Sequence, residues 1–391
     1  MILELLRGVR MGKKAAIVTL NGYFNYGNRL QNYALQESIK SLGFEVETII
    51  YNGKKNKVAR TKSINDRITD LREKSVLEII NKAYFKLWDF INKKDLAESR
   101  RVRTEIFKKF TYDYIIETDY ELSEENIPKK LINAYKYFIT GSDQVWNPGY
   151  NTGSSVYFLS FAPKEKRIAY APSFGVSKIN DEHIMDYKKW LAGIDKLSVR
   201  EFDGAEIIKD LVGAEAPVLV DPTMLLTVKQ WAEIESDQKK QLDRRYILTY
   251  FLGSIPKEYY KEIKRIASKN DLEIINLGDS RNSETYRTGP SEFLSYIKYC
   301  SLFCTDSFHG TVFSIIYNKP FIVYERAGAM SMYSRINTLL DKFKLNSRKV
   351  ENIDFDKDVF EIDYSHVTPI LEVERQKGFD FLRNSLSVKD E

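Results

Sequence analysis

The chain has 391 residues, of which 43% are hydrophobic and 29% charged, and its formal net charge is +5. That length favours two α/β cores over one, and so mild a positive balance excludes the dense basic footprint of a nucleic-acid binder. The two cysteines, Cys300 and Cys304, are too few for a disulfide framework and lack the second half of a zinc site; they read as buried and reduced, which favours the cytoplasm.

The N-terminus, Met1 to Arg10, is too short and too mixed for a signal peptide, and no apolar run reaches the ~18 residues of a membrane span. Met11, just before the first strand, reads as the true start or the beginning of the ordered fold. Short apolar runs then alternate with amphipathic stretches, the pattern of parallel sheets. Ala15–Leu20 predicts a strand and Gly27–Leu42 a helix, with Leu30, Ala34, Leu35 and Ile39 on one face. Phe44–Tyr51 predicts the second strand. Residues 54–112 are rich in Lys and Arg and carry an apolar stripe of Leu77, Ile80, Ala83, Tyr84, Leu87 and Phe90. They read as a helical excursion from the sheet. Its basic face is either simply solvated or suited to peripheral contact with an anionic membrane or a polyanionic acceptor.

Strands are expected again at Lys136–Thr140, Arg167–Ala171, Lys196–Val199 and Pro217–Val220, with a helix over Glu201–Leu211. The charged stretch from Lys229 to Arg245 reads as a linker. A second unit follows, with strands at Arg245–Phe251, Leu272–Leu277, Ser301–Thr305 and Pro320–Tyr324. Its helices fall at Pro256–Ser268, Ser291–Tyr299 and Gly310–Tyr317, and an amphipathic helix over Thr368–Leu386 closes the chain. The division expected is a Rossmann-like domain over 11–235, a second over 236–345, and a helical tail over 346–391 that packs back on the fold.

The chemically distinctive residues follow strand ends: Asn21–Asn28, Gly141–Pro148, Pro172–Gly175, Arg200-Glu201, Asp221-Pro222-Thr223 and Asp306–Thr311. Ligands of open α/β sheets bind beyond the carboxyl ends of strands, so these loops predict a cleft between two domains. Asp306–Thr311 is the sharpest of them. A helix starting near Gly310 offers free N–H groups to an anion, and His309 can move protons near neutral pH. Asp306 reads as its orienting partner, and Ser307 as a cap or a phosphate contact. Arg200 suits bidentate grip of a carboxylate or phosphate, or else an ion pair with Glu201 or Asp203. Around Gly27, Asn28 and Arg29 offer donors and Asn25 a polar contact, though a plain N-cap fits as well. Asp143 reads as an acid/base partner. Trp146 reads equally as a sugar-stacking platform or as core. His183 and His366 look like surface residues. No metalloprotease, P-loop or nucleophile-elbow motif occurs, so no metal is expected.

Three segments carry a family resemblance: Asn25-Tyr26-Gly27-Asn28-Arg29-Leu30-Gln31-Asn32-Tyr33-Ala34-Leu35-Gln36, Gly141-Ser142-Asp143-Gln144-Val145-Trp146-Asn147, and Thr305–Thr311. Together, in this order, they are similar to the polysaccharide pyruvyl transferases, over about Ala15 to Tyr324. The resemblance implies α/β architecture with two Rossmann-like domains of parallel sheet, GT-B-like, with the cleft between them. It implies transfer of a pyruvyl group from phosphoenolpyruvate to a sugar diol of a glycan or lipid-linked glycan, with no cofactor beyond that co-substrate. His309 and Asp143 become the expected catalytic residues. Arg200, Ser307, Gly310, Thr311, Asn28 and Arg29 become expected donor contacts, Trp146 and Asn25 acceptor contacts, and Asp306 and Ser173 supports. One position departs: some members of the family carry an arginine where this chain has Ser307, and Arg29, Arg326 or the helix terminus is then expected to supply the charge. A nucleotide-sugar-dependent glycosyltransferase and a non-catalytic glycan-binding relative are the alternatives.

Overall fold

The computed structural model describes residues 13–53, 93–128, 130–151, 154–236, 244–253, 255–326, 334–357 and 359–388. Met11, the apolar stripe from Leu77 to Phe90 and the end of the expected linker at 237–243 lie outside them. The first sheet has five parallel strands: β1 (Lys14–Val18), β2 (Glu45–Tyr51), β3 (Glu117–Leu122), β4 (Tyr137–Asp143) and β5 (Arg167–Pro172), in the order β3-β2-β1-β4-β5. The second has four: β6 (Tyr246–Tyr250), β7 (Glu273–Asn276), β8 (Leu302–Thr305) and β9 (Phe321–Val323), in the order β7-β6-β8-β9, also parallel. The fold is therefore α/β with two parallel sheets, the GT-B-like arrangement expected from the sequence.

Strand periodicity sorts the cores. Ala15 and Ile17 face one side of the first sheet, Ala16 and Val18 the other, because successive side chains alternate across a strand. The Ala15 side joins a core that continues into the second domain through Tyr246, Leu248 and Tyr250. α1 (Tyr26–Lys40) lies on this seam. Tyr26 stacks on Phe293 at 4.2 Å and meets Tyr250 edge-on at 5.2 Å, contacts worth about 0.5–1.5 kcal/mol each beyond their buried area. Of the excursion expected over 54–112, the described part is α2 (Lys93–Tyr114). Its Arg103 donates to the Tyr26 hydroxyl at 2.9 Å and reaches across the seam to the carbonyls of Tyr286 and Thr288.

Further helices are α3 (Ile184–Ala192), α4 (Phe202–Val212), α5 (Val228–Ala232), α6 (Lys257–Lys269), α7 (Pro290–Tyr299), α8 (Phe308–Ile316), α9 (Ser334–Lys342) and α10 (Val367–Ser385). Two expectations change. Lys196–Val199 runs parallel beside β5, and Pro217–Val220 beside Lys196–Val199, but they form only isolated bridges, Ile168 to Lys196 and Val199 to Val218. The reason is local. Backbone pairing begins, with the Ala169 N–H on the Lys196 carbonyl and the Ser198 N–H on the Ala169 carbonyl, but the next donor, the Ala171 N–H, goes to the Ser198 hydroxyl at 2.9 Å and the ladder stops. Pro217 has no N–H to give. The expected linker, in turn, starts as structure: α5 opens with a reciprocal cap between Thr227 and Gln230, and Trp231 is buried against Tyr33 and Phe313.

The closing helix α10 returns to the first domain. Arg375 donates to the carbonyls of Met224 and Leu226, and Tyr137 donates to Ser387. A Cβ at Gly378 would lie 2.6 Å from both Leu225 Cδ2 and the Tyr170 hydroxyl. Gly378→Val is therefore expected to overpack this contact by about 1–3 kcal/mol, read as a lower Tm with the cleft chemistry unchanged.

Candidate active site

The carboxyl ends of both sheets open onto one cleft of about 480 Å³. The first domain lines it with the loop after β1 (Leu20, Asn21, Gly22, Phe24, Asn25, Asn28), with Tyr51, Asn52 and Gly53 at the end of β2, and with Asp143, Gln144 and Tyr157. The second domain contributes Leu252 after β6, Ser307, Phe308 and His309 after β8, Arg326 after β9, and Arg335 from α9.

His309 is buried at the start of α8 and is held by neighbours from the first domain. A Cβ at Gly27 would fall 2.0 Å from its Nδ1, so only glycine lets α1 approach the imidazole this closely. Its Nε2 lies 3.4 Å from Asp221 Oδ2 and has no hydrogen-bond partner among the described residues. The cap below it is built locally. Ser307 Oγ accepts from the Gly310 N–H at 3.2 Å, and the Ser307 carbonyl accepts from the Thr311 N–H and hydroxyl. The N–H groups of Phe308 and His309 come before the first intrahelical bond, so they carry the positive end of the helix.

Asp221 is the carboxylate beside His309, not Asp306. Its Oδ2 accepts from Arg200 Nη1 at 2.7 Å and Ser142 Oγ at 2.6 Å, and its Oδ1 from the N–H and hydroxyl of Thr223. Burial pushes the Asp221 carboxyl up, but His309, Arg200 and Ser142 outweigh it and hold it well below the usual carboxylate range. Asp306 instead accepts from the N–H groups of Leu252 and Gly253 at 2.7 and 2.9 Å and holds Arg326 Nε at 3.1 Å. It orients an arginine and a loop, not the histidine.

Asp143 ends β4 in the left-handed region, at φ 69°, a conformation an Asp adopts more readily than most residues but still at a cost. The bend turns its carboxylate into the cleft, where Oδ1 accepts from the Gln144 N–H and lies 3.6 Å from Arg200 Nη2 and 4.0 Å from Arg335 Nη1. Arg200 itself sits beneath the cleft lining, paired with Asp221. Its guanidinium lies 4.3 Å from the centroid of the Phe308 ring.

Several expected contacts are placed elsewhere. Arg29 points away from the cleft; it is fully buried against Glu117 at 2.9 Å and the Leu20 carbonyl. Trp146 has 0% exposure, stacked 4.9 Å from Phe158 with its indole N–H on the Tyr157 carbonyl, so neither face is open to a sugar. Gly310 and Thr311 serve the helix start: a Cβ at Gly310 would press on the Phe303 ring and Thr305. Ser173 lies under the site and donates to Glu201 Oε1, which also accepts from the N–H groups of Phe174 and Gly175. Burial raises the Glu201 pKa against the lowering pull of Arg200 and Arg335. Asn25 and Asn28 do line the cleft; the Asn25 side chain caps α1 on the Asn28 N–H, and Asn28 Oδ1 has no partner among the described residues. Sequence reasoning missed Arg335, which stands in an amphipathic helix with no motif around it. Asp221, singled out in its strand-end loop, received no role there, because nothing in the sequence pairs it with His309.

No group of His, Cys, Asp and Glu that could hold a metal ion occurs among the described residues, and no helix among them is long and apolar enough to cross a membrane. No curated protein sequence matches the chain. Among solved structures it is similar to a putative UDP-N-acetylglucosamine 2-epimerase from Listeria monocytogenes, with TM-score 0.47, 8% identity, and 95% of this chain and 90% of that chain covered. It is also similar to S. aureus MnaA with UDP, at TM-score 0.47, 11% identity and coverage of 97% and 98%. E. coli ADP-heptose lps heptosyltransferase II matches at TM-score 0.35, 9% identity and coverage of 93% and 99%. The model of the family described as polysaccharide pyruvyl transferase matches residues 25–327, which spans all three resembling segments and both walls of the cleft. The chain belongs to the polysaccharide pyruvyl transferase family, a family of enzymes.

Proposed function

We propose that this enzyme transfers a pyruvyl group from phosphoenolpyruvate to two hydroxyls of a sugar in a surface polysaccharide or its precursor, giving a pyruvate ketal and phosphate. The observation that carries the reading is His309. It is a buried imidazole on the cleft lining, at the positive end of α8, with an unpartnered Nε2 and a carboxylate 3.4 Å away.

The steps balance without a redox partner. C3 of the enol takes a proton, one sugar hydroxyl adds at C2, phosphate leaves, and the second hydroxyl closes the ketal at C2. Of the two hydroxyl protons released, one replaces that used at C3 and the other leaves with phosphate. His309 is the acid that delivers the proton to C3, and Asp221 balances its positive charge before transfer. Asp143 is the base for the attacking hydroxyl. The helix N-terminus and the arginines stabilise the departing phosphate. Arg200 backs the site from below, through Asp221 and Asp143.

The acceptor belongs on the first-domain wall. With Trp146 in the core, the aromatic surface there comes from Phe24, Tyr51 and Tyr157. Phe24 is 67% exposed, with its ring laid over Gly22, and Asn21, Asn25 and Asn52 stand beside it to hydrogen-bond hydroxyls. A cytoplasmic site of action, on a soluble or lipid-linked glycan, goes with this reading.

The test is incubation with phosphoenolpyruvate and a panel of glycans, following phosphate release and the mass gain of a ketal. Silence across the panel, together with thermal stabilisation by UDP- or GDP-sugars and none by phosphoenolpyruvate, would turn the reading to glycosyl transfer. His309→Ala should lower kcat by about 10²–10⁴-fold while Tm holds. Gly27→Ala should lower activity as well, because its methyl group displaces the imidazole. Phe24→Ala should raise the acceptor KM by about three- to tenfold and leave the phosphoenolpyruvate KM unchanged.

A further inference from the structure

Arg335 is placed at a cost. It stands in the first turn of α9, where a helix disfavours positive charge. Its side chain is only 6% exposed, and it shares the Phe308 ring with the guanidinium of Arg200, at 5.7 and 4.3 Å. Burial, then the like charge of Arg200, pull its pKa down to about 10, and Arg326 adds to that pull. Asp143 and Glu201 offset this in part, with Asp143 4.0 Å from Nη1. The helix is fixed in place by packing on both domains: Thr338 accepts from the Phe202 N–H at the start of α4. An arginine pinned this way, lining a cleft, is a pre-organised seat for an anion.

Arg326 completes the seat. Asp306 takes its Nε and the Asp306 carbonyl takes Nη2, so the planar fork is held by one edge. The residue lines the cleft in this pose. Phe308 and His309, whose N–H groups carry the positive end of α8, line the same cleft.

We propose that Arg335 and Arg326 are the cations that grip the anionic groups of the donor, the carboxylate and phosphate of phosphoenolpyruvate, over the N-terminus of α8. The proposal rests on the donor reading above. Two arginines, Arg335 from α9 and Arg326 after β9, supply planar donors that a serine at 307 cannot. Positive charge is thereby concentrated on the second-domain wall, opposite the aromatic wall proposed for the sugar.

Calorimetric binding of phosphoenolpyruvate to the whole chain is compared with that to Arg335→Gln, Arg335→Lys and Arg326→Gln, with Tm and both KM values measured in parallel. Each Gln variant should weaken phosphoenolpyruvate binding by about 10–100-fold, the worth of a charged hydrogen bond, and leave the acceptor KM unchanged. Arg335→Lys should recover part of the loss at wild-type Tm. Should Arg335→Gln fail to fold, Arg335→Lys and Arg326→Gln carry the test. Undiminished binding in Arg326→Gln or in folded Arg335→Gln, or a loss confined to the acceptor KM, overturns the inference and leaves the donor reading standing. No binding of phosphoenolpyruvate by the unsubstituted chain overturns both.

Discussion

The carboxylate of Asp221 gathers the site. It is fully buried, yet it collects donors from Arg200, Ser142 and Thr223, and His309 approaches it from the other domain. Ser142 lies at the end of β4, while Arg200 and Asp221 end the two bridged segments beside β5. One carboxylate thus ties the carboxyl ends of three neighbouring extended segments and presents them to the second domain. A buried ion pair adds little stability by itself, but removing one partner leaves an uncompensated charge, typically at a cost of about 3–5 kcal/mol. The arrangement therefore resists drift: Arg200, Ser142 and Thr223 have no cheaper way to be satisfied than the geometry that also fixes His309.

This node explains which parts of the molecule were legible in the sequence. The alternation of apolar runs and amphipathic stretches gives parallel sheets, and strand-end polar loops then have to converge. His309, Asp143, Asn25, Asn28 and Ser307 meet at the cleft for that reason. The bridged segments at Lys196–Val199 and Pro217–Val220 were read as full strands because their apolar pattern is a strand's. What it does not reveal is that the Ser198 hydroxyl takes the Ala171 N–H of β5 and so interrupts the ladder. The segments still run parallel, so Arg200 and Asp221 still arrive together.

The misplaced residues share a different cause. Arg29 and Trp146 sit in motifs beside the cleft, and nothing in the sequence states which way a side chain turns. Arg29 falls one helical step past Asn28, which carries it around α1 to Glu117. Trp146 folds back after the bend at Asp143 and finds Phe158 and a carbonyl for its N–H, a complete solution for a large amphipathic ring. Arg335 is the converse case. It belongs to a helix whose register is set by Phe202 and α8, contacts distant in sequence, so its turn toward Asp143 follows from tertiary packing alone.

The division of the cleft into two walls follows from the same packing. β1 and β2 end in a loop of Asn, Gly and aromatic residues, and the seam through Tyr26, Tyr250 and Phe293 fixes that loop's helix against the second domain. β8 and β9 end in a capped helix start and an arginine held by Asp306. Asp306 is the quiet determinant here. By accepting from two backbone N–H groups of the β6 loop as well as from Arg326, it sets the spacing between that loop and the cationic wall. The cleft therefore pairs a cationic face with an aromatic, amide-lined face, and His309 stands where the two walls meet.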